Sequence, residues 1–283
     1  MYPPRLLIWY SRNLRRLVLG TAAVFSLLFM GSFLYSISCG FHGCPSVAKI
    51  RAYLPNHRSM VPLARIPENV RNAFIAVEDH RFSQHHGIDW RAFGRAFVRN
   101  ATSLGVREGA STLTMQVARS AFIRDDDCSG RSFGRKLVEL RLAPRIESAL
   151  TKDQILALYL NLIYLGDGMY GVEAASRHYF GKSVSRLSLS EAAMLAAMPK
   201  APEVYDPQEH PDRTKERRNL VLRLMTQEGF ITASQATQAT DQRLRVASQG
   251  RAPARPGSSR VVQVVSKTVG GTAAPTCAAS SIR

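Results

Sequence analysis

Acidic residues are missing from both ends of this chain. Residues 1–67 contain 8 Lys or Arg and residues 243–283 contain 7, but neither interval contains an Asp or a Glu. Of the net charge of +17, residues 68–242 therefore carry only +2. Nucleic-acid-binding domains cluster basic and aromatic residues on the folded part of the chain, and no such stripe or module is visible. The basic ends better suit anionic lipid headgroups, which attract each nearby Lys or Arg by about 1 kcal/mol.

Patterns typical of β-strands are also scarce. No alternating run of β-branched residues bounded by turns occurs before residue 260, whereas apolar residues recur at helical spacing, as in Trp90, Phe93 and Phe97. Helix starts are predicted at Thr151, at Ser190 and at Asp212. We therefore predict a mostly α-helical body.

Cysteines are few, and their spacing is not that of metal ligands. Cys39 and Cys44 lie close enough in sequence for a small disulfide loop in an oxidising compartment. Unpaired thiols are an equally good interpretation of the whole set, which comprises Cys39, Cys44, Cys128 and Cys277.

A long apolar run lies near the N-terminus. Residues 17–39 are 23 residues without a charge, enough to span about 30 Å of hydrocarbon as a helix. Four arginines precede the run and only Lys49 and Arg51 follow it closely, which places the N-terminus in the cytoplasm and the body outside. A cleaved signal peptide is the alternative, but the run exceeds the ~7–15 residues of a signal core and no Ala-x-Ala site follows. We predict an uncleaved single-pass anchor.

Composition divides the chain into five segments. The C-terminal segment is rich in Ala, Pro, Gly, Ser and Arg, which predicts disorder, although the strand-like residues 261–265 could instead add to a sheet edge. The predicted segments are a basic cytoplasmic stretch (1–16), the anchor (17–39), a linker (40–66), a helical domain (67–243) and a basic tail (244–283).

Three polar clusters follow one another in the helical body. Residues 78–89 read EDHRFSQHHGID, residues 108–116 read EGASTLTMQ, and residues 135–139 read RKLVE. Each cluster is bounded by apolar periodicity, which is hard to explain as solvated surface. The clusters are therefore candidates for the walls of a cleft.

The clusters resemble the motifs of the family 51 glycosyltransferases, which polymerise peptidoglycan glycan strands from lipid II. Residues 78–89 match the motif E-D-x-x-F-x-x-H-x-G-x-D, residues 109–116 resemble G-G-S-T-I-T-Q-Q, and residues 135–139 match R-K-x-x-E. The second motif departs at Ala110 and Met115. Residues 155–161 and 170–182 also look like later motifs of the family. The resemblance covers about residues 66–230 and implies a lysozyme-like, mostly α domain.

The resemblance implies a reaction between two lipid-linked sugars. The 4-hydroxyl of the acceptor's N-acetylglucosamine attacks C1 of the donor's N-acetylmuramic acid, undecaprenyl pyrophosphate leaves, and the anomeric centre inverts to give a β-1,4 strand. An alcohol is a weak nucleophile at neutral pH and needs a positioned base. Glu78 matches the family's base. Asp79 either contacts substrate or holds the loop, and without the surrounding motif both acids would be interpreted as helix-end residues.

The leaving pyrophosphate needs positive charge around it. By resemblance this role falls on Arg119 and Arg131, and the second catalytic acid is Glu139. Arg135 and Glu139 are four residues apart, so a simple helix-surface ion pair is the alternative for them. Pro144 is expected to kink the same helix just after Glu139.

The remaining candidates offer hydroxyl, amide and aromatic groups. Ser111 and Thr112 could contact substrate, cap a helix, or do both. The histidines of the first motif are expected to make structural hydrogen bonds rather than bind metal, and His86 is assigned as the family's loop histidine. The predicted substrate-binding set is Asp79, Phe82, His86, Ser111, Thr112, Thr114, Gln116, Arg119, Arg131, Arg135, Lys136 and Asn161.

The resemblance also implies partners and a location. Lipid II, the growing glycan strand and membrane lipids are expected partners, together with a separate transpeptidase. Ser46 to Lys49 match the first transpeptidase motif, S-x-x-K, but no partner motif follows, so a monofunctional enzyme is predicted. It would be anchored in the inner membrane with its catalytic domain in the periplasm. No organic cofactor or bound metal is expected, and Mg²⁺ or Mn²⁺ as an aid to catalysis is left open.

Two other functions compete with this one. A lysozyme-like hydrolase would also use a glutamate-centred cleft, but it needs neither an anchor nor pyrophosphate-binding cations. A catalytically silent scaffold that binds lipid II or glycan would have no need for both Glu78 and Glu139.

Overall fold

A computed structural model describes residues 19–32, 46–53, 60–102, 111–122, 133–243 and 246–247. Within these ranges the chain is helical, and its one β feature is an isolated antiparallel bridge between Tyr164 and Tyr170. The prediction of a mostly α body is confirmed. Cys39, Cys44, Cys128, Cys277, Arg131 and nearly all of the predicted tail lie outside the described residues.

The helices are numbered along the chain, starting with α1 at residues 19–32. Short 3-10 helices occupy Leu63–Arg65, Phe82–Gln84 and Val184–Arg186. The other α-helices are α2 (Val47–Tyr53), α3 (Glu68–Glu78), α4 (Trp90–Thr102), α5 (Leu113–Phe122), α6 (Phe133–Ala149), α7 (Lys152–Leu162), α8 (Val172–Phe180), α9 (Leu189–Ala197), α10 (Pro211–Gln227) and α11 (Ala233–Asp241).

Side-chain caps explain where several helices begin. Thr151 begins α7 with a capping box, in which its hydroxyl accepts from the backbone N–H of Gln154, as predicted. The start predicted at Ser190 is wrong by two residues, because Ser188 forms the capping box of α9. The start predicted at Asp212 is also slightly late, since Pro211 occupies the first turn of α10, where its missing N–H costs nothing.

Two groups of packed helices make up the core. Helix α9 is buried at Ser190 and from Ala192 to Ala197 and packs against α3 and α10, while α5 packs against α6 and α7. In the first group, α3 ends at Glu78. In the second group, α5 carries residues of the second motif, 109–116. The candidate site therefore lies where the two groups meet.

Candidate active site

Glu78 is half-buried at the C-terminal end of α3. Its Oε2 accepts a hydrogen bond of 2.8 Å from Nε2 of Gln116 on α5. Burial raises the pKa of Glu78 above its ordinary value of 4.5, and the charge of neighbouring Asp79 adds to this, while the Gln116 bond and the cations Arg217 and Lys200 act in the opposite direction. A raised pKa brings a carboxylate closer to the strength that a general base needs near neutral pH.

The surroundings of Glu78 include an aromatic pair. Phe74 lies four residues before Glu78 and so on the same side of α3, and its ring meets that of Tyr159 edge to face, with centroids 5.9 Å apart. Both rings are fully or almost fully buried. Burial, followed by the charge of Glu78, raises the pKa of the Tyr159 hydroxyl well above its ordinary value, so this group stays protonated at neutral pH.

Two cations near Glu78 were missed by the sequence analysis. Lys200 lies in the turn that follows α9, and Arg217 lies on α10, where its guanidinium is 5.8 Å from the ring centroid of Tyr205. Both lower the pKa of Glu78 through their charge. Arg217 stands within the charged run from Lys215 to Arg218, which has the composition of a solvated helix face and so carries no local signal of a site.

Asp79 holds the loop that follows α3. Its carboxylate is 3.0 and 2.9 Å from Nε2 of His85, and its Oδ2 also accepts a 3.0 Å hydrogen bond from the backbone N–H of Leu113. The side chain is buried. Of the two interpretations of Asp79, the structure supports the loop-holding one, while a contact with substrate stays a prediction.

The histidine of the first motif is His85, and its assignment to His86 was off by one residue. Counting along the motif from Glu78 places its histidine at position 85, and His85 is the residue buried against Asp79. His86 is exposed. The expected structural hydrogen bond therefore exists, but the neighbouring histidine makes it.

Asp89 closes the first motif by starting the next helix. Its Oδ1 accepts hydrogen bonds of 3.0 and 3.1 Å from the backbone N–H groups of Arg91 and Ala92, and it also pairs with Arg81 at 3.1 Å. Burial would raise the pKa of this carboxyl, but the backbone bonds and the Arg81 charge outweigh it and hold the pKa below 3.8. Both ends of the loop are thus held by aspartates.

Gly87 lets the loop touch the main chain of α6. It has a φ of +89°, and a Cβ placed there would lie 2.7 Å from the carbonyl carbon of Ala143 and 2.9 Å from the nitrogen of Pro144. Helix α6 continues past Pro144 and ends at Ala149. Both the backbone conformation and the available space therefore require glycine at this position.

A second charged centre surrounds Glu139 on α6. The carboxylate is 1% exposed, and it pairs with Arg119 Nε at 2.7 Å and with Lys136 Nζ at 2.9 Å. Arg135 is more distant, with its Nε 3.9 Å from Oε1. A simple ion pair between Arg135 and Glu139 on a solvated helix face is therefore the wrong interpretation. The three cations are 34–43% exposed, so they present positive charge next to a buried acid.

The hydroxyls of the second motif divide between the site and the protein interior. Ser111 accepts a hydrogen bond of 2.5 Å from Lys136 and so belongs to the second charged centre. Thr112 caps α5, accepting from the N–H of Met115 at 3.2 Å, and donates to the Gly87 carbonyl at 2.6 Å. Thr114 is fully buried and donates to Glu147 at 2.6 Å. The capping interpretation is confirmed for Thr112.

Two predicted substrate ligands have their side chains engaged within the protein. Phe82 is 4% exposed and packs into the core. The side-chain amide of Asn161 accepts from the N–H of Val61 at 2.8 Å and donates to the carbonyls of Val61 and Ala157 at 3.0 and 2.8 Å. This Asn anchors the segment before α3. Among the described residues, the side chains of Phe82 and Asn161 make no hydrogen bond with the carboxylate of Glu78 or of Glu139.

No group of three or more His, Cys, Asp and Glu side chains among the described residues could hold a metal ion. Positive side chains, rather than a ring of acids, surround Glu139. The site thus presents a half-buried carboxylate on α3 and a cationic surface on α5 and α6.

This arrangement agrees with a comparison to known protein families. Residues 46–226 match the family model described as transglycosylase. The chain belongs to this family. The first charged centre, at Glu78, and the second, at Glu139, both lie inside the matched interval.

Individual relatives of this transglycosylase chain are much longer than the chain itself. It is 44% identical over 191 residues to penicillin-binding protein 1F of Bacillus subtilis (68% of this chain, 26% of the relative). It is 39% identical over 257 residues to penicillin-binding protein 1A of Aquifex aeolicus (84% and 35%), and 44% identical over 195 residues to that of Neisseria cinerea (69% and 24%). The transglycosylase chain thus spans about a quarter to a third of these relatives.

A crystal structure of penicillin-binding protein 1A from Haemophilus influenzae aligns with 74% of this chain and 20% of its own. The sequence identity is 26% and the TM-score is 0.41. That score does not establish a common architecture, so the lysozyme-like arrangement stays a prediction.

Proposed function

We propose that this protein is a peptidoglycan glycosyltransferase that polymerises lipid II into β-1,4-linked glycan strands. The observation that carries the proposal is the contrast between its two glutamates. Glu78 is a desolvated acid whose pKa is raised, whereas Glu139 is buried among cations. One centre is suited to removing a proton and the other to receiving an anion.

The reaction assigns one step to each centre. Ionised Glu78 takes the proton of the acceptor 4-hydroxyl while the bond from that oxygen to the donor C1 forms. The bond from C1 to the pyrophosphate oxygen breaks on the opposite side, which inverts the anomeric carbon. The negative charge that grows on the pyrophosphate is stabilised by Arg119, Lys136 and Arg135. Glu139 holds the first two of these cations in place.

Added Mg²⁺ or Mn²⁺ belongs to this proposal only as further positive charge near the pyrophosphate. The side chains that converge on that position are cations, which can bind phosphate oxygens directly. We therefore assign charge stabilisation to the protein's own residues.

The decisive experiment is incubation of the detergent-solubilised protein with labelled lipid II. The expected product is a polymer that a muramidase degrades. A lysozyme-like hydrolase would instead shorten preformed glycan, and a silent scaffold would leave the label in lipid II. Either result would contradict the proposed reaction.

The raised pKa of Glu78 predicts the pH dependence of the reaction. Because the base must be ionised, kcat/KM should fall as pH drops through the raised pKa, so the acid limb should lie above pH 4.5. Gln116→Ala removes a hydrogen bond that lowers this pKa, and should move the limb to higher pH. The measurement is a pH profile of kcat/KM.

The matched control for this profile is Gln238→Ala, which changes an exposed glutamine on α11. It should leave the acid limb unchanged. A limb that moves to lower pH in Gln116→Ala would show that Gln116 does not stabilise the ionised form of Glu78.

The location of the protein is part of the same proposal. The predicted anchor (17–39) is described only at 19–32, which are helical. Across the described ranges, no helix is both long enough and apolar enough to span a bilayer. We propose an inner-membrane enzyme with its catalytic domain in the periplasm, because lipid-linked substrates keep their prenyl chains in the bilayer. A separate transpeptidase is a proposed partner, and the monofunctional assignment stays a prediction.

Helix α4 offers a surface for lipid headgroups. Trp90 and Phe93 are 68% and 40% exposed, and their rings meet edge to face with centroids 6.0 Å apart. Arg91 and Arg95 on the same helix are also exposed. Aromatic and basic side chains together favour the membrane interface. Replacing both aromatic residues by Ser should weaken binding to anionic vesicles at least about tenfold, measured by sedimentation with the vesicles.

Val204→Ser is the control for this surface, because Val204 is 39% exposed outside α4. Its binding should equal that of the wild type. An equal loss in both variants would assign vesicle binding to general surface hydrophobicity rather than to α4.

A further inference from the structure

The ion pair between Lys152 and Glu147 links α5 to the first-motif loop, which is residues 79–89. Neither residue is among the predicted site residues. Lys152 Nζ donates to the His85 carbonyl at 2.7 Å and to Glu147 Oε1 at 2.8 Å. It also lies 4.4 Å from the ring centroid of Phe82. One ammonium group thus contacts two residues of the loop and one residue of α6.

Glu147 continues the connection to the second motif. The same Oε1 accepts a 2.6 Å hydrogen bond from Thr114, which is fully buried in the first turn of α5. The Glu147 side chain is 7% exposed and that of Lys152 is 28% exposed. A continuous path of hydrogen bonds therefore runs from the loop through the ion pair to α5, buried at Thr114 and Glu147 and partly exposed at Lys152.

The position of each charge in its own helix shows that the pair serves a tertiary contact. Lys152 is the first residue of α7, where the helix dipole disfavours a cation, and Glu147 lies in the last turn of α6, where the dipole disfavours an anion. Local helix stability would favour the opposite charges at both positions. What the pair stabilises is the junction between helices.

That junction sets the relation between the two charged centres. Helix α5 carries Gln116, which binds Glu78, and Arg119, which binds Glu139. A shift of α5 against the loop would move both contacts at once. The Thr112 hydroxyl, which donates to the Gly87 carbonyl, and the Leu113 N–H, which donates to Asp79, already join α5 to the loop. The ion pair adds a charged connection through Thr114.

We propose that Lys152 and Glu147 are positioning residues, which hold α5 against the loop so that Gln116 and Arg119 stay aligned with the two glutamates. This proposal rests on the proposed function for its catalytic consequence. Neither residue is assigned a contact with substrate.

The first test compares Lys152→Met with Lys182→Met. Lys182 forms a bridge of 2.8 Å with Glu191, and its side chain is 29% exposed, so it matches Lys152 in chemistry and burial but lies outside both charged centres. Lys152→Met should lower kcat about thirtyfold with less than a twofold change in KM, because small misplacements of catalytic groups cost up to about a hundredfold. Lys182→Met should lower the melting temperature and leave kcat within twofold.

Conservative and double variants separate positioning from stability. Lys152→Arg keeps the positive charge and the donors, and should recover kcat to within about threefold of the wild type. The double variant Lys152→Met with Glu147→Leu should lose no more activity than Lys152→Met alone, since the two residues act as one unit. Additive losses, or equal kcat losses in Lys152→Met and Lys182→Met, would overturn the proposal.

A readout without catalysis keeps this test independent of the proposed function. In hydrogen exchange followed by mass spectrometry, Lys152→Met should speed exchange in peptides covering the start of α5 and leave α9 unchanged. If the wild type does not polymerise lipid II, the proposed function fails while this result still decides the structural role. Unchanged exchange at α5 would overturn the positioning role.

Discussion

Glu78→Gln should reduce polymerisation of lipid II by about 10³-fold and leave the domain folded. The amide keeps the shape of the side chain and loses the ability to accept the proton of the acceptor hydroxyl. The matched control is Glu68→Gln, which changes an exposed acid at the other end of α3. Steady-state rates with labelled lipid II measure the effect. Activity within about tenfold of the wild type, or ~1.4 kcal/mol in the barrier, would exclude Glu78 as the base.

The same variant has a predicted effect on stability. A carboxyl whose pKa is raised by folding favours the folded state below its unfolded pKa, and this contribution is lost as pH rises through the folded pKa. At neutral pH the wild type therefore bears the cost of a desolvated charge that Glu78→Gln removes. The variant should melt at a higher temperature at pH 7, and the difference should disappear as pH falls below 4.5.

Glu139→Gln should lower kcat about a hundredfold and also destabilise the domain. The amide removes the buried negative charge with which Arg119 and Lys136 pair. Because both cations are partly exposed to water, we expect a cost of about 2 kcal/mol rather than the larger cost of breaking a fully buried pair. Kinetics and thermal melting measure the two effects separately.

The loss should be larger in kcat than in KM, since charge on the pyrophosphate grows toward the transition state. Arg119→Ala should show the same pattern with less loss of stability, because Lys136 still pairs with Glu139. Glu191→Gln is the control for a weakened bridge outside the two centres. A higher KM with unchanged kcat would mean that the second centre only holds substrate.

Sequence patterns predicted the local parts of this site well. The periodicity of apolar residues identified the helical class, and the motif resemblance named Glu78, Gln116, Arg119 and Glu139 one by one as site residues. The residues could be named because each motif is one short segment, whereas the contacts of Glu78 with Gln116 and of Glu139 with Arg119 join different motifs and were not predicted. The second motif departs from the family's pattern at Ala110 and Met115. Met115 is buried on α5, where a long apolar side chain fits.

The parts that escaped prediction depend on contacts between distant segments. Lys200 and Arg217 reach Glu78 from the turn after α9 and from α10, and Asn161 is engaged by the backbone of Val61, all far away in the sequence. Propensity and spacing carry no information about such pairings. The exchange of His86 for His85 has a different cause: it was a miscount along the motif, which places its histidine at position 85, the residue that the structure buries.

Gly87 has a consequence for how this gene can vary. Every other residue type would meet both an unfavourable φ and the main chain of α6, which cannot move aside as a flexible side chain could. Its neighbour His86 faces solvent and has no such constraint. In a library of random mutants selected for growth, codon 87 should therefore tolerate only synonymous changes, while codon 86 accepts many amino acids. A position with no reactive group would then look as indispensable as Glu78, the proposed base.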